Sequence, residues 1–257
     1  MDLIYVVILS IIEGITEFLP VSSTGHLILA ARILNIPQTD FVKSFEIFIQ
    51  LGAILAVFFL YGRKFLIDKK IMSSILTAFI PSAVVGLLFY KIIKGYLLGN
   101  SMVTVISLLV GGVILILIEI LLKHNKETIN NVGKIGNFKA LIIGFAQAIS
   151  VVPGVSRAGA TIVGGMLTGL DRKTAAEFSF LLAVPTILAA SGLDLLKSNF
   201  YFNRSEIFTL IVGFILSFLS AVLGIKILTR ATSKFSMTYF GVYRIILAIV
   251  FYVFFLR

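Results

Sequence analysis

The stretch from Glu13 to Leu27 reads EGITEFLPVSSTGHL, and it breaks an apolar run that otherwise extends over residues 3–34. A transmembrane helix needs about 20 consecutive apolar residues. With Glu13, Glu17, Pro20 and the string Ser22-Ser23-Thr24-Gly25-His26 in the way, neither half is long enough to cross a bilayer. Residues 139–170 are interrupted in the same manner by Pro153-Gly154, Ser156, Arg157 and Gly159. Both regions read as half-helix, turn, half-helix. Irregular backbone at membrane depth survives only where it is buried in protein or lines a wet cavity, so both are expected to be re-entrant hairpins that meet inside a helix bundle.

Around them lie six stretches that qualify as full spans, at 41–61, 71–93, 99–122, 175–196, 206–228 and 237–256. Of the 257 residues, 59% are hydrophobic and 13% charged, with a mean hydropathy of +1.08. A soluble domain carries about 25% charged residues, so a water-facing globule is excluded. The net charge of +10 does not indicate nucleic acid, because the basic residues fall in short patches between apolar stretches and not on one wet face. No cysteine is present, and the two histidines are His26 and His124; this removes thiolate chemistry and leaves little for a His-rich metal site. Asp2 stands where a signal peptide wants Lys or Arg, and no small-residue cleavage site follows the first apolar run. That start is expected to belong to the mature protein.

Shifting the chain against itself by 134 residues lays SIIEGITEFLPVSSTG over GFAQAISVVPGVSRAG. Ile15 then meets Ile149, Val21 meets Val155, Ser22 meets Ser156 and Gly25 meets Gly159; a shift of 131 lays Glu46 over Glu177. The expected fold is therefore an all-α polytopic integral membrane protein with an inverted-topology repeat, each half a re-entrant helical hairpin plus three transmembrane helices. It is a single membrane domain over 1–257, with repeat one at about 1–122, a basic cytoplasmic linker at about 123–137 and repeat two at about 138–257. One set of loops holds Arg63, Lys64, Lys69, Lys70, Lys123, Lys126, Lys134, Arg172, Lys173, Arg230 and Lys234; the other holds Lys43, Lys91, Lys94, Lys197, Arg204 and Arg257. The richer set is expected to be cytoplasmic. The first hairpin would then enter from outside and the second from the cytoplasm.

Glu13 and Glu17 share a helix face at i,i+4, and two carboxylates there repel unless a cation sits between them or one keeps its proton. An acid at membrane depth costs a few kcal/mol, so a wet helix end is the weaker explanation. A hard divalent ion, Mg²⁺ or Ca²⁺, suits such oxygen ligands. Ser22, Ser23 and Thr24 at a helix start can simply cap backbone N–H groups, yet a helix N-terminus is also a phosphate site. Gly25 would let a bulky group approach, and His26 can serve as nucleophile, acid or base near neutral pH. Arg157 carries a permanent charge that forks onto phosphate oxygens, its blander reading being an ion pair with Glu13 or Glu17. Ser156 and Thr161 flank it with hydroxyls. A divalent ion, a phosphate cradle, a histidine and an arginine suit phosphoryl transfer, where catalysis is mostly positioning and charge stabilisation.

Other polar residues read more plainly. Thr174 with Glu177 fits a capping box, Glu119 with Lys123 an i,i+4 pair, and His124 a basic loop. Glu46 and Gln50, one turn apart, are candidates for a supporting pair behind the site. Pro81 and Pro185 are expected to kink their helices.

On these residues the sequence resembles the bacterial undecaprenyl-diphosphatase, or bacitracin-resistance, family. Residues 13–27 resemble its E-G-x-T-E-F-L-P-V-S-S-T-G-H signature, and PGVSRAGAT, from Pro153 to Thr161, its P-G-x-S-R-S-x-x-T signature. The resemblance implies hydrolysis of the C55 lipid carrier diphosphate to the monophosphate in the bacterial cell membrane, which recycles the carrier for peptidoglycan synthesis and counters bacitracin. It implies metal-associated acids at Glu13 and Glu17, a catalytic serine at Ser23, an essential histidine at His26, and phosphate contacts from Ser156, Arg157 and Thr161. Ala158 departs from the usual Ser. Attack on phosphorus by Ser23 with His26 as base, by His26 directly, or by water all stay open. The expected partner is the polyprenyl diphosphate lipid, with no nucleic acid; a second copy of the chain is a further candidate. The soluble-headed lipid-phosphatase superfamily fits poorly, since no second motif histidine follows Arg157. The alternative from another class is an inverted-repeat transporter or lipid flippase.

Overall fold

The computed structural model describes residues 1–97, 100–122, 129–197, 202–232 and 236–257. Within them the chain runs α1 (Leu3–Thr16), α2 (Ser23–Ile33), α3 (Asp40–Ile67), α4 (Lys69–Leu88), the single turn α5 (Tyr90–Ile92), α6 (Ser101–Leu122), α7 (Asn137–Ala148), α8 (Arg157–Leu167), α9 (Arg172–Lys197), α10 (Arg204–Thr232) and α11 (Thr238–Phe251). Among the described residues six segments are long and apolar enough to cross a membrane: Asp40–Gly62, Lys69–Leu88, Ser101–Leu122, Arg172–Asp194, Arg204–Arg230 and Thr238–Leu256. The protein is an all-α, multi-pass membrane protein. Rows of exposed Leu, Ile, Val and Phe on α4, α6, α10 and α11 form the lipid-facing surface that such a bundle requires.

Short polar side chains set the helix starts. The Asp68 carboxylate accepts from Lys70 N and Ile71 N at 2.9 and 3.3 Å, and Asn100 accepts from Met102 N and Val103 N at 3.1 Å. The expected Thr174–Glu177 box is corrected: Asp171 caps α9 by accepting from Thr174 N at 2.6 Å, so Thr174 already lies inside the first turn. A reciprocal box forms at α10 instead, where Asn203 and Glu206 each accept the other's backbone N–H at 2.9 Å. Glu119 pairs with Arg172 and accepts from Met237 N at 3.3 Å, whereas its expected partner Lys123 lies outside the described residues, with His124, Lys126 and Lys234. Pro81 and Pro185 sit inside α4 and α9, which continue through them.

The two broken regions enter the bundle from opposite ends. Val6 and Leu9 of α1 and Leu27 and Ala31 of α2 pack with Val42, Phe45 and Leu210, where α3 and α10 begin. Ala140 and Ile143 of α7 and Met166 of α8 pack instead with Ile71, Ile75 and Ala175, where α4 and α9 begin. Close backbone contact holds each first half-helix in place. A Cβ on Gly14 would fall 2.4 Å from Ser217 O on α10, and one on Gly144 would fall 2.3 Å from Ala78 O on α4, a small-residue packing common between membrane helices.

Candidate active site

Both hairpin turns end on a serine in an unusual backbone conformation. Ser22 has φ +72° and Ser156 φ +76°, a region that L residues rarely occupy. Each is the N-cap of its short helix, Ser22 Oγ accepting from Gly25 N at 3.2 Å and Ser156 Oγ from Gly159 N at 3.0 Å. The plainer capping role thus holds for these two hydroxyls, and it aims the starts of α2 and α8 at one place. Gly25 does not open space for a ligand as expected: a Cβ there would meet Ser22 Oγ at 3.1 Å and Thr104 at 3.4 Å, so its smallness is used by the turn itself.

The residues after the caps, Ser23 and Arg157, are two of the candidate site residues. Ser23 donates its hydroxyl to Glu17 Oε2. Arg157 Nη2 donates to Glu17 Oε1 at 2.7 Å, with both side chains almost buried. One carboxylate therefore holds the first residues of both half-helices. The ion pair weighed for Arg157 forms, and with Glu17. Arg157 Nη1 donates to Ser179 O at 2.9 Å and Ser179 Oγ at 3.3 Å, its guanidinium lies 5.8 Å over the Phe18 ring, and its Nε has no hydrogen-bond partner among the described residues.

Thr161 is placed differently from a phosphate contact. It is fully buried and donates to Arg157 O at 2.9 Å while meeting Ser179 Oγ at 2.7 Å, which makes it a brace for Arg157. His26 is likewise turned away from Ser23. Its Nδ1 lies 2.7 Å from Ser22 O and its Nε2 2.7 Å from the Tyr243 hydroxyl. A carbonyl can only accept, so Nδ1 carries the proton and donates to Ser22 O, while Nε2 shares a hydrogen bond with the Tyr243 hydroxyl, a group that can donate or accept. The group touching the Ser23 hydroxyl is thus Glu17 and not His26.

Glu13 is fully buried and neither carboxylate oxygen has a hydrogen-bond partner among the described residues. Its counterpart across the 134-residue shift is Gln147, which is satisfied by Ser82 at 2.6 Å and Thr186 at 3.3 Å. Glu46 lies near enough to act on the charge of Glu13 and has one oxygen unpartnered; Gln50 faces the cavity. Among the described residues no three acidic or histidine side chains gather as a metal cluster.

Above this floor rises a cavity of about 730 Å³. Glu17, Ser22, Ser23, Thr24, Gln147, Ser156 and Arg157 line its polar part, and Phe79, Ala83, Gly86, Leu87, Ile187, Ala190 and Leu193 its apolar walls. Tyr90, Ile93, Asp194 and Leu196 line it toward the end of the bundle where α4 and α9 finish. The profile of the family described as bacitracin resistance protein BacA matches residues 6–250. The chain belongs to this family. It is 52% identical over 250 residues to the undecaprenyl-diphosphatase of Aquifex aeolicus (strain VF5), covering 97% of each chain. It is 53% identical over 246 residues to that of Sulfurihydrogenibium sp. (strain YO3AOP1), covering 96% of each, and 44% identical to that of Methanococcus aeolicus over 257 residues and the whole of both chains.

Sequence reasoning overlooked Ser179, Tyr243 and one buried cation of this constellation. Arg244 sits in the apolar run of α11 and is 1% exposed. The signal was the one that marked Arg157, a guanidinium inside a span, where it is costly without partners.

Proposed function

We propose that the protein is an undecaprenyl-diphosphate phosphatase that releases inorganic phosphate from the polyprenyl diphosphate and leaves the monophosphate lipid in the bacterial cell membrane. The observation that carries this reading is the convergence of two helix N-termini and Arg157 at the polar floor of an otherwise apolar cavity. Helix N-termini and a guanidinium select phosphate, and apolar walls suit an isoprenoid chain. The floor takes the diphosphate on the free N–H groups of α2 and α8, with Thr24 and Ser156 beside it, while the chain runs along Phe79, Leu87 and Leu193.

Ser23 is the attacking group that the contacts favour. Its Oγ–P bond forms as the bridging P–O bond of the anhydride breaks, and the hydroxyl proton passes to Glu17. Glu17 returns that proton to the departing prenyl monophosphate, whose developing charge Arg157 and the helix starts stabilise. Water then attacks the phosphoserine, gives a proton to Glu17, and releases phosphate as Ser23 regains its hydrogen. His26 fixes the Ser22 carbonyl, and with it the turn that presents Ser23.

Glu13 with Glu17 fits a divalent cation, because a buried carboxylate without partners is expensive and Mg²⁺ commonly takes one or two carboxylates plus substrate phosphate. Mg²⁺ or Ca²⁺ held there would neutralise diphosphate charge. We further read the fold as an inverted-topology repeat, with the cavity opening on the side opposite the cytoplasm; Lys69, Lys70, Lys134, Arg172 and Lys173 cluster at the other end, where α4 and α9 start. The test is phosphate release from a long-chain prenyl diphosphate by protein purified in detergent, with loss on EDTA treatment and in Arg157→Ala. Absence of phosphate release, with transport or lipid scrambling in vesicles, would replace the enzyme with a carrier.

A further inference from the structure

Arg244 is a buried cation whose partners, among the described residues, are all main-chain carbonyls. Its Nη1 donates to Pro20 O at 3.3 Å and Val155 O at 3.0 Å, its Nη2 to Gly154 O at 2.7 Å and Ser107 O at 3.0 Å, and its Nε to Leu108 O at 3.3 Å. Pro20 belongs to the first hairpin turn, Gly154 and Val155 to the second, and Ser107 and Leu108 to α6. One side chain therefore joins both turns to each other and to a full span. It does not line the cavity, so it is not placed to touch the substrate.

The fastened backbone is the backbone that delivers the site. Pro20 lies midway between Glu17 and Ser23, and Val155 immediately precedes the cap of the helix that starts on Arg157. Positive-φ residues such as Ser22 and Ser156 persist only where the surroundings over-determine them. Planar, fixed donors forking onto several carbonyls are a means of doing so that a lysine cannot reproduce. The fit is also sterically specific. A Cβ on Gly111 would come 2.2 Å from Arg244 Nη2 and 2.8 Å from its Cζ, the three nearest atoms all being guanidinium atoms.

We propose that Arg244 is a positioning residue of this phosphatase site, which by holding the two turns together sets Arg157 and Ser23 on the same Glu17 carboxylate. The proposal rests on the phosphatase reading, and its test separates the two. Arg244→Lys removes the fork, and Gly111→Ala displaces the guanidinium while keeping its charge and leaving every group of the reaction untouched. Both variants of the full chain are purified in detergent and assayed on a prenyl diphosphate, with thermal unfolding measured beside activity. In the absence of native cysteine, spin labels on Leu19→Cys and Val152→Cys report the separation of the turns. The expected result is a kcat lowered about 100-fold, the loss that misplacing reacting groups by an ångström brings, with KM nearly unchanged, both variants still folded at the assay temperature although they unfold at a lower one, and the interlabel distance broadened in both variants. An unchanged kcat, a loss accounted for by unfolding at the assay temperature, or a distance that stays sharp overturns the positioning role. If the wild-type chain releases no phosphate, the function reading fails while the distance measurement still decides whether Arg244 holds the turns.

Discussion

Arg157 Nη2 and Glu17 Oε1 meet at 2.7 Å across 140 residues of sequence, and the other oxygen of the same carboxylate takes the Ser23 hydroxyl. A buried carboxylate in this position serves two purposes. It satisfies the guanidinium, and it orients the Ser23 hydroxyl, the attacking group of the proposed mechanism.

From that pair follows a double expectation for Arg157→Ala. Phosphate release should fall about 1,000-fold, in line with the loss of a guanidinium from a phosphoryl-transfer site. Stability should fall too, by about 3–5 kcal/mol, because Glu17 is left buried and unpaired. The double variant Arg157→Leu with Glu17→Gln should recover most of the melting temperature and none of the activity. Differential scanning fluorimetry beside a phosphate assay checks both halves.

Ser23 and His26 should separate in their effects. Ser23→Ala removes the attacking hydroxyl and should abolish turnover, and phosphate label from an acid-quenched reaction of the wild-type chain should map to Ser23. His26→Ala and Tyr243→Phe each break the 2.7 Å contact between His26 Nε2 and the Tyr243 hydroxyl; each hydrogen bond lost should cost about tenfold in kcat. Label recovered on His26, or on neither residue, would transfer the attack to the imidazole or to water.

For the cation, the lack of partners on Glu13 makes stability a sensitive readout. In EDTA, Glu13→Gln should unfold at about the same temperature as the wild type, because an acid buried without a cation keeps its proton and is then as neutral as the amide. With Mg²⁺ or Ca²⁺ added, the wild type should gain stability through binding to the native state and the variant should gain little. Equal responses to metal in both chains would remove Glu13 from the metal site.

Chain length can be read at Gly86. It lines the apolar wall, and a Cβ there meets nothing within 4 Å, so Gly86→Leu should project into the cavity without disturbing the helix. KM for a C55 diphosphate should rise about tenfold, as expected for blocking one or two methylene-sized contacts of the chain, while a C5 diphosphate, too short to pass Gly86, is hydrolysed as before. A parallel rise for both substrates would place the chain elsewhere.

Much of this site was legible because charge is scarce. In a chain with 13% charged residues, Glu13, Glu17, His26 and Arg157 stand out wherever the loops do not claim them, and the proline and glycine interruptions mark the turns that bring them to mid-bundle. Arg244 carried the same mark and was passed over because its flanks, TYFGVY and IILAIV, read as an unbroken span. The Thr174–Glu177 box failed for a local reason: Asp171 lies one turn earlier and is the better cap.

The amino-acid pattern by itself determined the six spans, the two interrupted segments and the residue types at their tips, since hydrophobic run length and helix capping are local properties. Which polar group faces which was decided only by tertiary structure. Glu17 rather than His26 holds Ser23, Thr161 braces Arg157 instead of facing the cavity, and Arg244 ties turns to which no sequence spacing connects it. Such pairings depend on the rotation and depth of each half-helix, and those are set by close backbone contacts such as Gly14 on Ser217 and Gly144 on Ala78, which arise between segments far apart in the chain and leave no periodic trace within either one.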